Sequence, residues 1–564
     1  MLFDKLLRKK PVGLSTHDAE EPHHIPMAKV LTLKDLTFFG IAAIIGAGIF
    51  SSIGSACFSG GPAVILLFII CAIACGFTAM CYAEFASRVP LSGSAYTYAY
   101  VSFGELFAWI IGWALLMEYS IGNIYVAFSW SGYFTNLLEA LHIHLAPWLT
   151  SNYTEAHAAF NGNISGEEMT AWTSAPMLGG LRIIFDLPAV AINIIITWLV
   201  IVGVKESKNV SNLMVMIKLA IIALVIFVGA FYVDIDNWKP FMPNGFLSHL
   251  DEHGQAVGVM AGIASVFFAF IGFDAVSTLA EECKNPQKDL PRGMIYSLLI
   301  STVIFVVLTL VLTGMVSYKS LNVSDPLAEI FALKGMKWML YIVSVSAVVA
   351  MTSVILVFQM GQPRIWMTMS RDGLMPKRFA SIHPKYKTPA FASIITGLVV
   401  GVPIFFTDRN FILDFTSIGT LFAFTLVCGG VLTLPARTDD STGKFKMPYI
   451  NAKWIVPLTI LAAFGTIFIF ERSFFTDIFN INADNAVKSI PMIAFLVICV
   501  IMSVLSFVKN FSLIPTLGFL SCIYLFTGFN VANWKYFFIW MLIGLVIYFC
   551  YGFRKSKLNT KSKV

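Results

Sequence analysis

Residues 36–57 read LTFFGIAAIIGAGIFSSIGSAC, without one acidic or basic side chain. A stretch of that length can cross a hydrocarbon core of about 30 Å as a helix. Near its middle, however, Gly46 and Gly48 flank Ala47, and each glycine weakens a helix by about 1 kcal/mol relative to alanine. Irregular backbone at that depth persists only where protein or a cavity surrounds it. Close helix packing through small residues is the alternative reading of the same glycines.

Outward from this stretch the pattern repeats. Further apolar runs occupy 62–86, 104–135, 187–204, 212–233, 257–280, 294–316, 338–362, 389–407, 411–434, 454–471, 489–508, 511–529 and 534–553. The chain is 57% hydrophobic and 12% charged, with a mean hydropathy of +0.79, whereas a soluble domain carries about 25% charged residues. An all-α integral membrane protein of about fourteen transmembrane helices is expected. Soluble enzymes, nucleic-acid binders and β-barrels are excluded. Lys and Arg concentrate in cytoplasmic segments of membrane proteins. With the N-terminus inside, 28 of the 38 basic residues fall on inner segments and nine on outer ones, which places both termini in the cytoplasm.

The expected organisation is a cytoplasmic arm (1–35), a first group of five helices (36–233, with an outer loop at 136–186), a second group (257–434), four further helices (454–553) and a cytoplasmic tail (554–564). No secretory signal peptide is evident in the arm, and no GxxxxGK[ST] sequence points to ATP as energy source. The nine cysteines form no CxxC pair and no histidine lies within a span, so neither a metal site nor a cofactor is expected.

A second interruption shares the character of the first. Residues 267–282 read FFAFIGFDAVSTLAEE, with Gly272 at mid-depth and Asp274 two residues later. The interruptions fall in the first and sixth spans. Five is odd, so a duplicated five-helix unit enters the membrane from opposite sides, and matching interruptions in two inverted halves point to a transporter's midplane site. Unwinding at Gly46–Gly48 exposes amides suited to a carboxylate, and unwinding at 268–272 exposes carbonyls suited to an ammonium. One anion seat facing one cation seat describes an α-amino acid zwitterion.

Four motifs then carry a family resemblance: GIAAIIGAGIF (40–50), YAEFASRVPLSGSAYTYAY (82–100), FFAFIGFDAVSTLAEECKNPQKDLPRG (267–293) and GQPRIWMTMSRDGLMP (361–376). Together they resemble the amino acid–polyamine–organocation (APC) superfamily, and within it the cationic amino acid transporter (CAT) branch and its bacterial members. The resemblance implies a LeuT-like 5+5 inverted repeat with broken helices one and six. It implies a secondary transporter of amino acids in the plasma membrane, by extension the inner membrane of a bacterium. Backbone of Ile44, Ile45, Gly46, Ala47 and Gly48 would contact substrate, as would Phe268, Ala269 and Ile271, with the Phe268 ring as a gate. Met351 matches the position that limits the side-chain pocket, which favours small or medium neutral amino acids or broad specificity.

Lys218 lies some seven residues into the fifth span, where an ammonium is costly unless it reaches water or a partner. Taken alone it could snorkel to the interface. In the resemblance a lysine at this place couples transport to protons, and Thr352 and Ser353 match hydroxyls that hold sodium in sodium-driven relatives. Glu118 and Asp274 are the other intramembrane acids, each a relay, a counter-charge or a contact for a cationic substrate. Proton-coupled symport by alternating access is the leading expectation, and a proton-independent exchanger or facilitator of lysine and arginine is the alternative. The expected partners are an amino acid, protons and the lipid bilayer; the sequence names no accessory subunit.

Overall fold

The computed structural model describes residues 6–10, 27–46, 48–162, 166–251, 255–323, 326–407, 409–434, 444–470, 478, 486–529 and 531–561. Ala47 lies outside them. The described residues are overwhelmingly helical. The only strand pairings among them are two short hairpins, Met177–Leu178 with Leu181–Arg182 and His249–Leu250 with Ala256–Val257, and two isolated bridges.

The first apolar run is not one helix. Helix α1 (Leu33–Ile44) stops at Ile45, whose φ of −86° and ψ of 92° are extended, and a π-turn at Gly48–Ser52 restarts the rod, continuing as α2 (Ile53–Gly60). Asp35 starts α1 by accepting from the Thr32 amide at 2.9 Å and hydroxyl at 2.7 Å, which satisfies donors a helix start leaves open. The sixth run breaks likewise. Helix α8 (Ile263–Phe270) ends before Ile271, Gly272 turns the chain with a φ of +119°, and a 3₁₀ segment, Phe273–Glu282, completes the crossing. A positive φ costs glycine nothing, and a Cβ on Gly272 would sit 2.5 Å from that of Ala43.

Around the breaks stand α3 (Val64–Arg88), α4 (Ala95–Ser102), α5 (Glu105–Ala140), α6 (Leu187–Val202), α7 (Val204–Ala230), α9 (Pro286–Met315), α10 (Lys337–Arg371), α11 (Ala390–Gly401) and α12 (Arg409–Thr433). Helix α5 packs along α10 and α12, and α9 along α3 and α1. One continuous apolar core fills this assembly. Helices α13 (Ile455–Phe470), α14 (Ala486–Lys509), α15 (Leu513–Phe526) and α16 (Val531–Ile547) follow, with a small core of their own where α13, α14 and α15 meet. The runs at 489–508 and 511–529 are thus separate helices.

Ten helical stretches among the described residues are long and apolar enough to cross a membrane; four shorter apolar helices, Leu187–Val202, Ala390–Phe405, Ile455–Ile469 and Leu513–Phe526, stand where the other four spans are expected. The ends of the two broken runs next to residues 31 and 282 are tied together. Val30 and Leu31 amides donate to the Glu282 carbonyl at 3.0 Å, and the Lys284 amide donates to Leu31 at 3.0 Å. On the other side of the breaks the two rods meet through Ser52 Oγ on the Ser265 carbonyl at 3.2 Å and through the Ser55 and Ser265 hydroxyls at 2.9 Å.

Candidate functional site

Between the two breaks lies a small cavity lined by Ala43, Ile44 and Gly48 from the first, Phe268 and Ile271 from the second, Val126 of α5, and Val354 and Phe358 of α10. Its free volume is ≈ 10 Å³, about the room one water needs. The lining carries no ionisable side chain.

Two broken rods present four helix ends, two of each sign. The carbonyl end of α1 is filled by Lys218 of α7. Its Nζ donates to the Ala42 carbonyl at 3.1 Å, the Ile45 carbonyl at 2.6 Å and Ser353 Oγ at 3.0 Å. An ammonium has three donors, and all are used. The side chain is fully buried, 0% exposed, so it does not snorkel. Asp274 stands in the first turn at the amide end of the 3₁₀ segment; its Oδ2 accepts from the Tyr119 hydroxyl at 3.1 Å, and its Oδ1 has no hydrogen-bond partner among the described residues. The other two ends carry no charged side chain, and their residues Gly48, Phe268 and Ile271 line the cavity; there the Ile49 and Phe50 amides donate to the Gly46 carbonyl at 3.0 Å and the Ile271 amide to the Phe268 carbonyl at 3.2 Å.

The other expected residues divide. Ile45 and Gly46 stand beside the cavity: the Ile45 carbonyl is given to Lys218, and a Cβ on Gly46 would strike Val354 at 2.1 Å. Ala269 backs directly onto Gly48, where an added Cβ would lie 2.5 Å from the Ala269 Cα. Phe268 is part of the cavity lining, and its ring meets Tyr125 edge to face at 4.9 Å. Met351 is buried but lies one turn before Val354, outside the lining. Ser353 holds Lys218, whereas Thr352 accepts from Trp130 Nε1 at 2.8 Å and donates to the Val348 carbonyl at 2.7 Å. The two neighbouring hydroxyls therefore serve different partners. Glu118 is buried near Asp274, with the Thr420 hydroxyl beside it, but Thr420 donates to the Thr416 carbonyl at 3.2 Å. Neither Glu118 oxygen has a hydrogen-bond partner among the described residues, and neither acid pairs with Lys218.

Several contributors escaped the sequence reading. Val354 and Phe358 share the Met351 face of α10 at spacings of three and seven, a helical signal that does not say which of three apolar residues meets the cavity. Helix α7 also grips the start of α1, through Asn212 Nδ2 on Asp35 Oδ1 at 2.7 Å and Lys208 Nζ at 3.5 Å from Asp35 Oδ2. Arg364 pairs with Glu282 at 2.5 Å and Arg371 with Glu281 at 2.7 Å, joining α10 to the end of the second broken rod.

Two broken helices flanking a cavity inside a bundle of apolar helices are a pattern of membrane transporters. The chain belongs to the amino acid permease family: the model of that family matches residues 31–502, and a model of the C-terminus of such permeases matches 512–556. It is 37% identical to the branched-chain amino acid permease BcaP of Bacillus subtilis, over 93% of each chain. It is 40% identical to the methylthioribose transporter of the same organism, over 81% of this chain and 90% of that one. To the vacuolar cationic amino acid transporter 4 of Arabidopsis thaliana it is 35% identical, over 77% of this chain and 67% of that one. It is an integral membrane transporter of this family, not an enzyme.

Proposed function

We propose that the protein is a secondary active symporter that moves small or medium neutral L-amino acids with protons by alternating access. The observation that carries the reading is the distribution of helix ends. Lys218 and Asp274 occupy one carbonyl end and one amide end, and the remaining pair of opposite sign faces one cavity, as a zwitterion requires. The lining of Val126, Phe268, Val354 and Phe358 supports a neutral, apolar substrate side chain over lysine or arginine, in keeping with the name of the branched-chain relative. In this reading backbone from Ile44 to Gly48, Ala47 included, and from Phe268 to Ile271 contacts substrate, and Met351 shapes the pocket from behind Val354.

Lys218 is the proton carrier. It bridges α1, α7 and α10, so movement of the inner half of the first rod changes its acceptors and its access to water. The place where Ser353 and two carbonyls converge is filled by the ammonium, which argues against sodium there. Alternating access follows from two inverted five-helix repeats, 36–233 and 257–434, in fourteen spans with both termini in the cytoplasm of a bacterium. The test is uptake of labelled alanine and leucine, with lysine as comparator, into proteoliposomes with and without an inside-alkaline gradient. Gradient-driven accumulation of the neutral amino acids is expected. Uptake that ignores the gradient, needs amino acid preloaded inside and favours lysine would replace the proposal with cationic exchange.

A further inference from the structure

A second cavity, ≈ 650 Å³, opens far from the breaks, where the end of α3, the end of α12, the 444–449 segment and the α14–α15 turn converge. By the distribution of basic residues this is the cytoplasmic end of the bundle. Three cations from three separate segments line it: Arg88, Lys446 and Lys509. The single acid of the lining, Glu84, is engaged by Arg88 at 2.7 Å and by the Met447 amide at 2.8 Å. The floor is apolar, from Leu432, Leu434 and Phe511.

The walls are built. Ser87 Oγ donates to the Phe445 carbonyl at 2.9 Å, and the Tyr449 hydroxyl donates to the Asn510 carbonyl at 2.7 Å. The Leu513 amide donates to the Ile450 carbonyl at 2.7 Å. Ser512 lines the cavity with a hydroxyl oxygen shut off from solvent and without a hydrogen-bond partner among the described residues. Depth is set by the aromatics beside it. Tyr449 and Trp454 are 64% and 62% exposed, as rings at the headgroup level of a bilayer are. Scattered lysines along this end would be ordinary for an inner face. Convergence of three cations over an apolar floor, at headgroup depth, is a pattern that basic pockets between transmembrane helices use to hold anionic lipid.

We propose that this cavity binds the phosphate headgroup of an anionic membrane phospholipid, with an acyl chain lying along Leu432, Leu434 and Phe511. Charge complementarity selects the headgroup, and the apolar floor selects a lipid over a soluble anion. The proposal does not depend on which substrate is carried.

The test titrates the detergent-purified full chain with phosphatidylglycerol, phosphatidylcholine or inorganic phosphate and follows thermal unfolding and bound lipid by native mass spectrometry. Phosphatidylglycerol should bind saturably and raise the unfolding temperature, and phosphatidylcholine should not. Lys446→Gln and Lys509→Gln, both at exposed rim positions, should each weaken phosphatidylglycerol about fivefold. Lys453→Gln, near the cavity but outside its lining, should leave binding within about twofold of wild type. Equal stabilisation by the two lipids, or undiminished phosphatidylglycerol binding by the Lys446→Gln/Lys509→Gln double variant, overturns the proposal. Full stabilisation by inorganic phosphate alone overturns it in favour of a soluble anion.

Discussion

The two interrupted helices are built alike and finished oppositely. In the first rod a carbonyl end is stopped by a cation delivered from α7, and the restart at Gly48 carries no acid in its first turn. In the second rod the restart is stopped by an acid of its own segment, Asp274, and the carbonyl end of α8 carries no base in its last turn. Each break leaves one end of its dipole without a charged side chain. A helix end is worth about half an elementary charge, so filling one end of each rod, with opposite signs, leaves a site polarised along one axis. The difference lies in origin. Lys218 arrives from another helix, so under the proposed alternating access it can be left behind by α1, whereas Asp274 belongs to the segment at whose start it stands.

The largest expected effect comes from pushing the two rods apart. Gly48→Val places a branched side chain where even a Cβ comes within 2.5 Å of the Ala269 Cα and 2.6 Å of its Cβ, and the contact is backbone that cannot swing away. Displacing the two open ends by about 1 Å should weaken amino-acid binding by about 100-fold, measured by scintillation proximity with labelled alanine or leucine. Unchanged affinity in a folded Gly48→Val protein would remove the backbone site.

Next in size is the contrast between the two stoppers. A gradient of about one pH unit, inside alkaline, supports about tenfold accumulation by a one-proton symporter. Lys218→Met should bind amino acid yet accumulate it only to the level outside, because no group remains to load a proton on the acidic side and release it on the alkaline side. Asp274→Asn keeps an oxygen for the Tyr119 hydroxyl and loses only a charge at a helix start, an effect of about 1 kcal/mol. Accumulation should therefore fall less than about fivefold. Equal losses in both variants would erase the distinction between a stopper from another helix and one from its own segment, and full accumulation by Lys218→Met would end the proton role.

What the sequence makes visible follows from the same physics. Gly46, Gly48 and Gly272 stand out because glycine is rare where a helix must be continuous, and Lys218, Glu118 and Asp274 because hydrocarbon tolerates few ionisable groups. Those anomalies locate both breaks and the lysine between them. Backbone partners leave no such mark. Nothing in the letters Ala42 and Ile45 says that their carbonyls hold an ammonium, because a backbone acceptor has the same chemistry in every residue. Boundaries blur for a related reason. Helix α5 runs to Ala140, beyond the expected 135, because NLLEA after Thr135 is amphipathic and continues the helix past the apolar run. The contact between Asp35 and Asn212 joins residues 177 positions apart and depends on packing that neither segment encodes alone.

The smallest effect decides which apolar residue sizes the pocket, and here position along one face of α10 is the whole question. Met351 is a turn away from the lining and Val354 is in it. A substrate side chain grows into the cavity wall, so Val354→Ala should improve the affinity for phenylalanine relative to alanine by about tenfold, the low end for one methylene in an apolar pocket. Met351→Ser must act through Val354, and its change in the same ratio should stay below about threefold. Competition of the two amino acids against labelled leucine gives both numbers. If Met351→Ser produced the larger shift, the substrate-bound cavity would extend a turn beyond the small one, and opening would involve a rotation of α10 that carries Met351 into the lining in place of Phe358.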